Sequence, residues 1–177
     1  MSYQYLKNNV LLGVFGVTSF CFITTHVAVV LCINGNSMEP TLLDGDRVLV
    51  AKWDRPVRFD GRQSSRYNPT RGDIVVLRSP QKPKERLVKR ILGFEGDVIR
   101  TRPSVDKTET VRINPGQMWI EGDNSRGSMD SNTYGQMPIN LIEGRAAFIL
   151  YPWGRFGRLQ NRPPPNTRFV RKGRNYD

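Results

Sequence analysis

The sequence predicts a mainly β protein, in which an antiparallel β-rich domain follows a single N-terminal transmembrane helix. Residues 10–33 contain no Asp, Glu, Lys or Arg. Residues 34–152 instead hold short runs rich in Val, Ile and Leu, which are separated by Gly, Pro, Asp and Asn. No stretch of 12 or more residues in that region keeps the 3.6-residue period of a helix. Short strands joined by turns are typical of an antiparallel sheet.

The first element is an apolar segment that is long enough to cross a membrane. Residues 1–9 form a short lead, and residues 10–33 exceed the roughly 20 apolar residues that a spanning helix needs. A cleaved signal peptide is the alternative, but no small-x-small cleavage site follows the segment directly. Only Lys7 carries a charge before the segment, and acidic residues predominate just after it. This local charge allows the N-terminus to stay inside and the domain to lie outside.

Six strands are expected within the domain over residues 34–152, and two polar loops, 54–72 and 103–109, interrupt them. The expected strands are Arg47–Lys52, Asp73–Arg78, Arg86–Phe94, Asp97–Arg102, Gln117–Glu121 and Arg145–Tyr151. Residues 153–177 are basic and contain a run of three prolines, with seven Lys or Arg and one Asp after Pro152. We expect this tail to be disordered, because it offers almost nothing to bury.

Composition excludes several kinds of site. The single His26 rules out a multi-His metal centre, and Cys21 and Cys32 are too few for a four-Cys zinc site or a disulfide framework. His26 also lies inside the apolar segment, where it is poorly placed to serve a serine outside the membrane. We therefore expect no metal and no cofactor. The net charge of +11 would suit a nucleic-acid-binding module, but no RRM, zinc-finger or helix-turn-helix signature is present.

Three segments could carry chemistry, and the first surrounds Ser37. The sequence Asn-Gly-Asn-Ser-Met-Glu-Pro-Thr over residues 34–41 begins directly after the apolar segment. The Ser37 hydroxyl would therefore lie close to the membrane surface. A serine among Gly, Asn and Pro is, on its own, most often an ordinary turn residue.

The second segment is the expected strand around Lys89. With a period of two, Lys89 shares a face with Leu87 and Ile91, and we expect only one face of the strand to look inward. If it is the face of Lys89, desolvation lowers the pKa of the amine, as a general base requires. Arg90, on the other face, could not act as a base because guanidinium does not deprotonate. The alternative is an edge strand from which Lys89 reaches water.

The third segment, residues 121–132, is dense in Asp, Asn, Ser and Gly. A hydrogen-bonded loop explains this composition better than a calcium loop, since the alternating carboxylates and the closing Glu of an EF-hand are missing. In this order behind one apolar segment, the three segments resemble the type I signal peptidases, serine proteases with a Ser/Lys dyad. The resemblance covers residues 10–152, through the blocks 37–41, 71–75, 88–97 and 122–131.

The resemblance implies a signal-peptidase-like fold and a role for each matching residue. Ser37 would be the nucleophile, with its backbone N–H at the oxyanion, and Lys89 would be the general base. Ser128 would orient the lysine, and Asp130 would support its loop. Met38 and Pro40 would contribute to substrate binding.

Two departures from the family pattern stand out. Gly35 lies where many bacterial members have a serine or a glycine, so the serine hydroxyl that can assist the oxyanion is missing here. Asn132 lies where most members have an arginine. An Asp130–Arg salt bridge is therefore not expected, although Asn132 could bind Asp130. Asn132, the short N-terminus and the small size resemble the second subunit of the mitochondrial inner membrane protease.

That branch of the family implies a single-pass protein of the inner membrane, in contact with its lipid and with the catalytic domain in the intermembrane space. Its substrates would be precursor proteins with hydrophobic sorting signals, and its partner would be the first subunit of the same heterodimer. A bacterial plasma-membrane signal peptidase and a non-catalytic structural subunit are the alternatives within the family.

Overall fold

The computed structural model describes residues 16, 18, 28–52, 69–102, 109–163 and 168–171. Apart from the helical residues Gly16 and Thr18, these ranges form eleven strands and one short α-helix, α1 (Ser131–Tyr134). The strands are β1 (Ala28–Cys32), β2 (Arg47–Lys52), β3 (Ile74–Arg78), β4 (Arg86–Phe94), β5 (Val98–Arg100), β6 (Thr110–Arg112), β7 (Gln117–Glu121), β8 (Met137–Pro138), β9 (Ile142–Tyr151), β10 (Gly157–Arg158) and β11 (Phe169–Arg171).

The strands form two antiparallel sheets. The larger sheet has the order β1-β2-β9-β3-β4-β7-β8, and β10 adds to β9. The smaller sheet has the order β11-β5-β6. The long strand β9 joins the two halves of the larger sheet, because it pairs with β2 along one edge and with β3 along the other. The expected antiparallel β class is confirmed.

All six expected strands are present, and three of them, β2, β4 and β7, have the expected bounds. β9 begins three residues earlier than expected, at Ile142. The sequence did not indicate β6, β8 or β10, because strands of two or three residues are too short to show a period. These strands form by pairing with longer neighbours.

The predicted transmembrane helix over 10–33 needs correction at its C-terminal end. Residues 28–32 form β1, which pairs with β2 from Ala28 opposite Ala51 to Cys32 opposite Arg47. The β-branched Val29 and Val30 favour this extended conformation. Gly16 and Thr18 are helical, and the other residues of the segment up to 27 lie outside the described residues. None of the helices in the described part of the chain has the length and apolar character needed to cross a bilayer.

The tail is ordered wherever the structure describes it, so the prediction of disorder is wrong for residues 153–163 and 168–171. Leu159 is buried in the core, and β11 pairs with β5. Arg155 Nη2 lies 3.0 Å from the Asp46 carboxylate, which is itself buried. Basic residues that looked like a solvated tail are held because they neutralise carboxylates of the domain. The remainder of 153–177 lies outside the described residues.

The hydrophobic core places the segment around Ser37 firmly against the large sheet. Met38 and Leu42 are fully buried in one cluster with Val48, Ile74 and other strand residues. Burying side chains of this size contributes roughly 1.5–3 kcal/mol each. A second cluster contains Ile91 from β4 and packs elsewhere on the same sheet. The core thereby fixes both elements that carry the candidate residues Ser37 and Lys89.

Candidate active site

The loop between β1 and β2 holds Ser37 in a fixed position. Its ends are joined by hydrogen bonds from Ile33 N to Asp46 O at 2.8 Å and from Gly45 N to Ile33 O at 2.9 Å. Met38 and Leu42 anchor its middle in the core. A polar turn is therefore closed at its base and pinned by two apolar side chains.

Gly35 is required by the backbone at its position. Its φ is 93°, a left-handed conformation that favours glycine, and its N–H donates to Asp44 Oδ1 at 2.7 Å. Any other residue would be strained there. The departure from the family pattern two residues before Ser37 thus has a local structural reason.

Lys89 meets Ser37 across the larger sheet. The Nζ atom of Lys89 lies 2.7 Å from the Oγ atom of Ser37, within hydrogen-bond distance, although the residues are 52 positions apart in the chain. Lys89 lies on β4 and is only 3% exposed. The structure therefore brings together the two residues that the sequence selected as nucleophile and base.

Both faces of β4 are buried, which corrects the expectation that only one face would look inward. Arg90, next to Lys89, is 6% exposed. Its Nε and Nη2 atoms donate to the two carboxylate oxygens of Asp123 at 2.8 and 2.7 Å, and Nη1 donates to Gly72 O at 2.6 Å. This paired guanidinium can be buried because its charge and its donors are satisfied.

Lys89 has no comparable counterion. Among the described residues no carboxylate oxygen lies within salt-bridge distance of its Nζ. Burial lowers the pKa of Lys89 below its ordinary value, because desolvation disfavours the ammonium form. The charge of Asp130 acts in the opposite direction, and that of Arg102 acts with burial. The environment next to the Ser37 hydroxyl thus shifts the pKa of the amine in the direction that a general base requires.

Asp130 organises the loop opposite Lys89. Its carboxylate accepts hydrogen bonds from Gly122 N at 2.9 Å and from the backbone and side-chain nitrogens of Asn132 at 3.1 and 2.9 Å. Asp130 also caps the N-terminus of α1. Burial alone would raise the pKa of Asp130, but these hydrogen bonds hold it below its ordinary value. Asp130 therefore remains a carboxylate that ties the two ends of the loop together.

Asp130 does have an arginine partner, contrary to the expectation from Asn132. Arg102 Nη1 lies 3.2 Å from Asp130 Oδ2, and Arg102 N donates to Asn132 Oδ1 at 2.9 Å. Arg102 follows β5, far from this loop in the sequence. Only the folded arrangement of β5 beside the loop creates the pair, so no local motif could have indicated it.

Ser128 lies beside the dyad but does not bond to Lys89. Its buried Oγ atom has no hydrogen-bond partner among the described residues. The hydroxyl is near enough to Asp130 to lower the pKa of that carboxyl, without reaching hydrogen-bond geometry. It also crowds Gly122: a Cβ at Gly122 would collide with Ser128 Oγ and with the Ser37 carbonyl oxygen. Glycine at 122 is what allows the two segments to approach.

A groove of about 550 Å³ opens beside the dyad. Its walls come from the end of β1 and the first half of β4, and both Ser37 and Met38 line it. Pro40 is exposed and lies outside this lining, and its contribution to substrate binding stays a prediction. Among the described residues no three His, Cys, Asp or Glu side chains converge to hold a metal ion.

The comparison with protein families agrees with this geometry. The model of the family described as "Signal peptidase, peptidase S26" matches residues 6–107, a range that contains Ser37 and Lys89. The chain belongs to the S26 signal peptidase family. It is accordingly a peptidase by descent, and its fold positions the matching segments around one groove.

Several S26 relatives are mitochondrial. The chain is 39% identical to the mitochondrial inner membrane protease subunit 2 of Schizosaccharomyces pombe, over 79% of this chain and 74% of that protein. It is 38% identical to subunit 2 of Danio rerio, over 81% and 75% of the two chains. It is also 39% identical to subunit 1 of Homo sapiens, over 84% of each chain. Identity alone therefore does not separate the two subunits.

Among solved structures, the chain is similar to a signal peptidase I from Enterococcus faecalis. The match has 22% sequence identity and a TM-score of 0.39, and it covers 45% of this chain and 97% of that one.

Proposed function

We propose that this chain is a membrane-anchored serine endopeptidase of the mitochondrial inner membrane that removes hydrophobic sorting sequences from precursor proteins. Ser37 is its nucleophile and Lys89 its general base. The observation that carries the proposal is the 2.7 Å approach of Lys89 Nζ to Ser37 Oγ, made by a buried lysine whose pKa is lowered by burial. The names of the relatives support a location in the mitochondrial inner membrane.

The reaction begins with a proton transfer inside the dyad. The neutral amine of Lys89 takes the hydroxyl proton as Ser37 Oγ attacks the scissile carbonyl carbon. The resulting ammonium gives that proton to the leaving amine, and an acyl-enzyme remains on Ser37. Lys89 then takes a proton from a water molecule, whose attack releases the new carboxyl terminus and restores the Ser37 hydroxyl.

The backbone N–H of Ser37 serves the oxyanion. It donates to no group among the described residues, so it can bind the oxygen that becomes negative in the tetrahedral intermediate. Gly35 adds no side-chain donor. Asn124 steadies this loop, because its N–H donates to Ser37 O at 3.1 Å and its side chain donates to Asn36 O at 3.1 Å. That the Ser128 hydroxyl orients the lysine stays a prediction from the family resemblance, because Ser128 Oγ has no hydrogen-bond partner among the described residues.

An extended peptide fits the groove. β1 pairs only with β2 among the described strands, and β4 pairs with β7 only from Arg90 onwards. Two strand edges with backbone groups free to bond therefore border the groove. A substrate segment can add to such an edge through main-chain hydrogen bonds. Met38 in the groove lining would contact its side chains.

The proposal places the catalytic domain in the intermembrane space behind a single N-terminal span. It also places the chain in a heterodimer with the first subunit of the inner membrane protease, since the relatives are named as subunits of one protease. Precursors delivered to the intermembrane space would approach from the membrane surface and enter the groove.

The test is complementation of cells that lack the protein, with the full chain and with three variants. We expect Ser37→Ala, Lys89→Ala and Lys89→Arg each to leave precursors with their sorting signals uncut, because the nucleophile or the proton acceptor is lost. The exposed Lys82→Ala is the control and should restore processing. Processing that survives in Lys89→Ala would contradict the dyad, and would favour a structural subunit whose partner does the cutting.

A further inference from the structure

The loop opposite Lys89 is bound by one arginine, Arg102, which lies just after β5 of the smaller sheet. Arg102 contacts the loop through its backbone and all three guanidinium nitrogens. Nε lies 2.9 Å from Glu121 Oε2, Nη1 lies 3.2 Å from Asp130 Oδ2, and Nη2 donates to Gly122 O. Its backbone N donates to Asn132 Oδ1 at 2.9 Å. One side chain therefore joins the start and the end of the loop.

The simplest alternative is that Arg102 only neutralises Glu121, a carboxylate that is almost fully buried. Glu121 already has a second arginine, because Arg168 next to β11 binds both of its oxygens. Trp119 Nε1 also donates to Glu121 at 2.9 Å. The contacts of Arg102 with Asp130 and Gly122 are not duplicated by Arg168. They are what distinguishes the two arginines.

These particular contacts bear on the dyad. Gly122 packs directly against the Ser37 carbonyl and Ser128, so a shift of Gly122 would move the wall beside the nucleophile. Asp130 is the charged group that acts against the neutral form of Lys89, and Arg102 counters it. A planar guanidinium satisfies such a set of acceptors in fixed directions, whereas an ammonium cannot.

We propose that Arg102 is a positioning residue for this catalytic site: it holds Asp130 and Gly122 in place opposite the dyad, and does from the segment after β5 what an arginine at position 132 could do from within the loop. The inference rests on the proposed function. It explains how Asn132 is tolerated, because the amide accepts the Arg102 N–H and donates to Asp130.

The other charged groups around Lys89 are already accounted for. Arg90 is paired with Asp123 on the opposite face of β4. Arg145, in the same cross-strand row as Lys89 and Val75, is paired with Asp73. Glu85 and Arg86 line the groove at its exposed end. Asp130 and Arg102 thus form the pair whose disruption would change the charge that Lys89 experiences.

The experiment measures kcat/KM of the full chain, in its complex, against pH with a precursor peptide. In Arg102→Gln the uncompensated Asp130 should favour the ammonium form of Lys89. The acidic limb of the kcat/KM profile should move to higher pH. For a shift of about one pKa unit, kcat/KM should be about tenfold lower near neutral pH and should recover at alkaline pH. Adding Asn132→Arg should move the limb back. Arg168→Gln, which removes only the other partner of Glu121, should leave the limb where it is.

Several results would overturn the proposal. One is a loss of activity that is equal at every pH, and another is an equal shift of the limb in Arg168→Gln. Failure of Asn132→Arg to restore the limb would also count against it. If Arg102→Gln does not fold, Arg102→Lys replaces it, because lysine keeps the positive charge but lacks the planar guanidinium. An activity and an acidic limb of the pH profile that are both unchanged in Arg102→Lys would contradict a positioning role for Arg102. An active Lys89→Ala would instead refute the Ser/Lys mechanism itself, so the two failures are distinguishable.

Discussion

The two faces of β4 each bury one basic side chain, and the two are treated in opposite ways. Arg90 is held by both oxygens of Asp123 and by the Gly72 carbonyl. Its neighbour Lys89 has the Ser37 hydroxyl at 2.7 Å and no carboxylate at salt-bridge distance among the described residues. At a similar degree of burial, the charge is therefore compensated on one face, whereas on the other face desolvation lowers the pKa of the amine.

This difference follows from the chemistry of the two groups. Guanidinium keeps its proton, so burying Arg90 requires a fixed counterion, and Asp123 provides it. An amine can release its proton, so burying Lys89 without a counterion makes a base. Strand geometry assigns the two residues to opposite faces, and the partners on each face determine which residue is structural and which is reactive.

The largest effect on stability should come from breaking the Arg90 pair. Arg90→Met leaves the partly buried Asp123 without its counterion and should lower the free energy of unfolding by roughly 3 kcal/mol. Thermal unfolding of the full chain measures the change. The double variant Arg90→Met with Asp123→Asn should recover part of the loss, since the uncompensated charge is then gone. Equal stability of the single and double variants would show that Asp123 is not the partner that matters.

Replacing Lys89 should have an intermediate effect on stability and should increase it. Because its folded pKa is lowered, the wild type loses stability as pH falls below the ordinary lysine pKa, where the unfolded chain is protonated. Lys89→Met should therefore be more stable than the wild type by about 1 kcal/mol at neutral pH, while lacking activity. The advantage should shrink as pH rises through the ordinary lysine pKa. A destabilised Lys89→Met at neutral pH would contradict an uncompensated buried amine.

The smallest effect on stability should come from the exposed end of β4, where Arg86 lies. Glu143 lies 2.6 Å from both Arg78 and Arg86, whose side chains are largely exposed. Glu143→Gln should change stability by less than about 1 kcal/mol, and the change should disappear at high salt because solvent screens these pairs. A loss as large as that of Arg90→Met would mean that burial does not separate the ends of β4.

The sequence was sufficient for the parts of the site that are encoded locally. The bounds of β4 followed from its apolar run and flanking turn residues. The selection of Ser37 and Lys89 as nucleophile and base followed from the resemblance of the motifs around them to the signal peptidases. The period did not reveal that both faces of β4 are covered, because burial of Arg90 depends on Asp123 from β7's side of the sheet. Periodicity describes one strand, whereas burial depends on what packs against it.

The contacts that the sequence missed all join distant parts of the chain. Arg102 to Asp130 and Arg168 to Glu121 link residues 28 and 47 positions apart. Neither arginine differs in sequence context from the solvated basic residues that give the chain its net charge. Disorder was expected of the tail for the same reason: its arginines acquire a role only when buried carboxylates lie opposite them. β1 was assigned to the apolar helix because an apolar run does not distinguish a buried strand from a helix.

The most direct test of the central claim is an NMR titration of the Lys89 amine in the full chain, with its signal identified by its loss in Lys89→Met. We expect a midpoint below the ordinary lysine value in the wild type, and a rise of that midpoint back towards the ordinary value in Arg102→Gln. A midpoint at or above the ordinary value in the wild type would mean that Lys89 is a buried cation. It would then be unable to take the proton from Ser37.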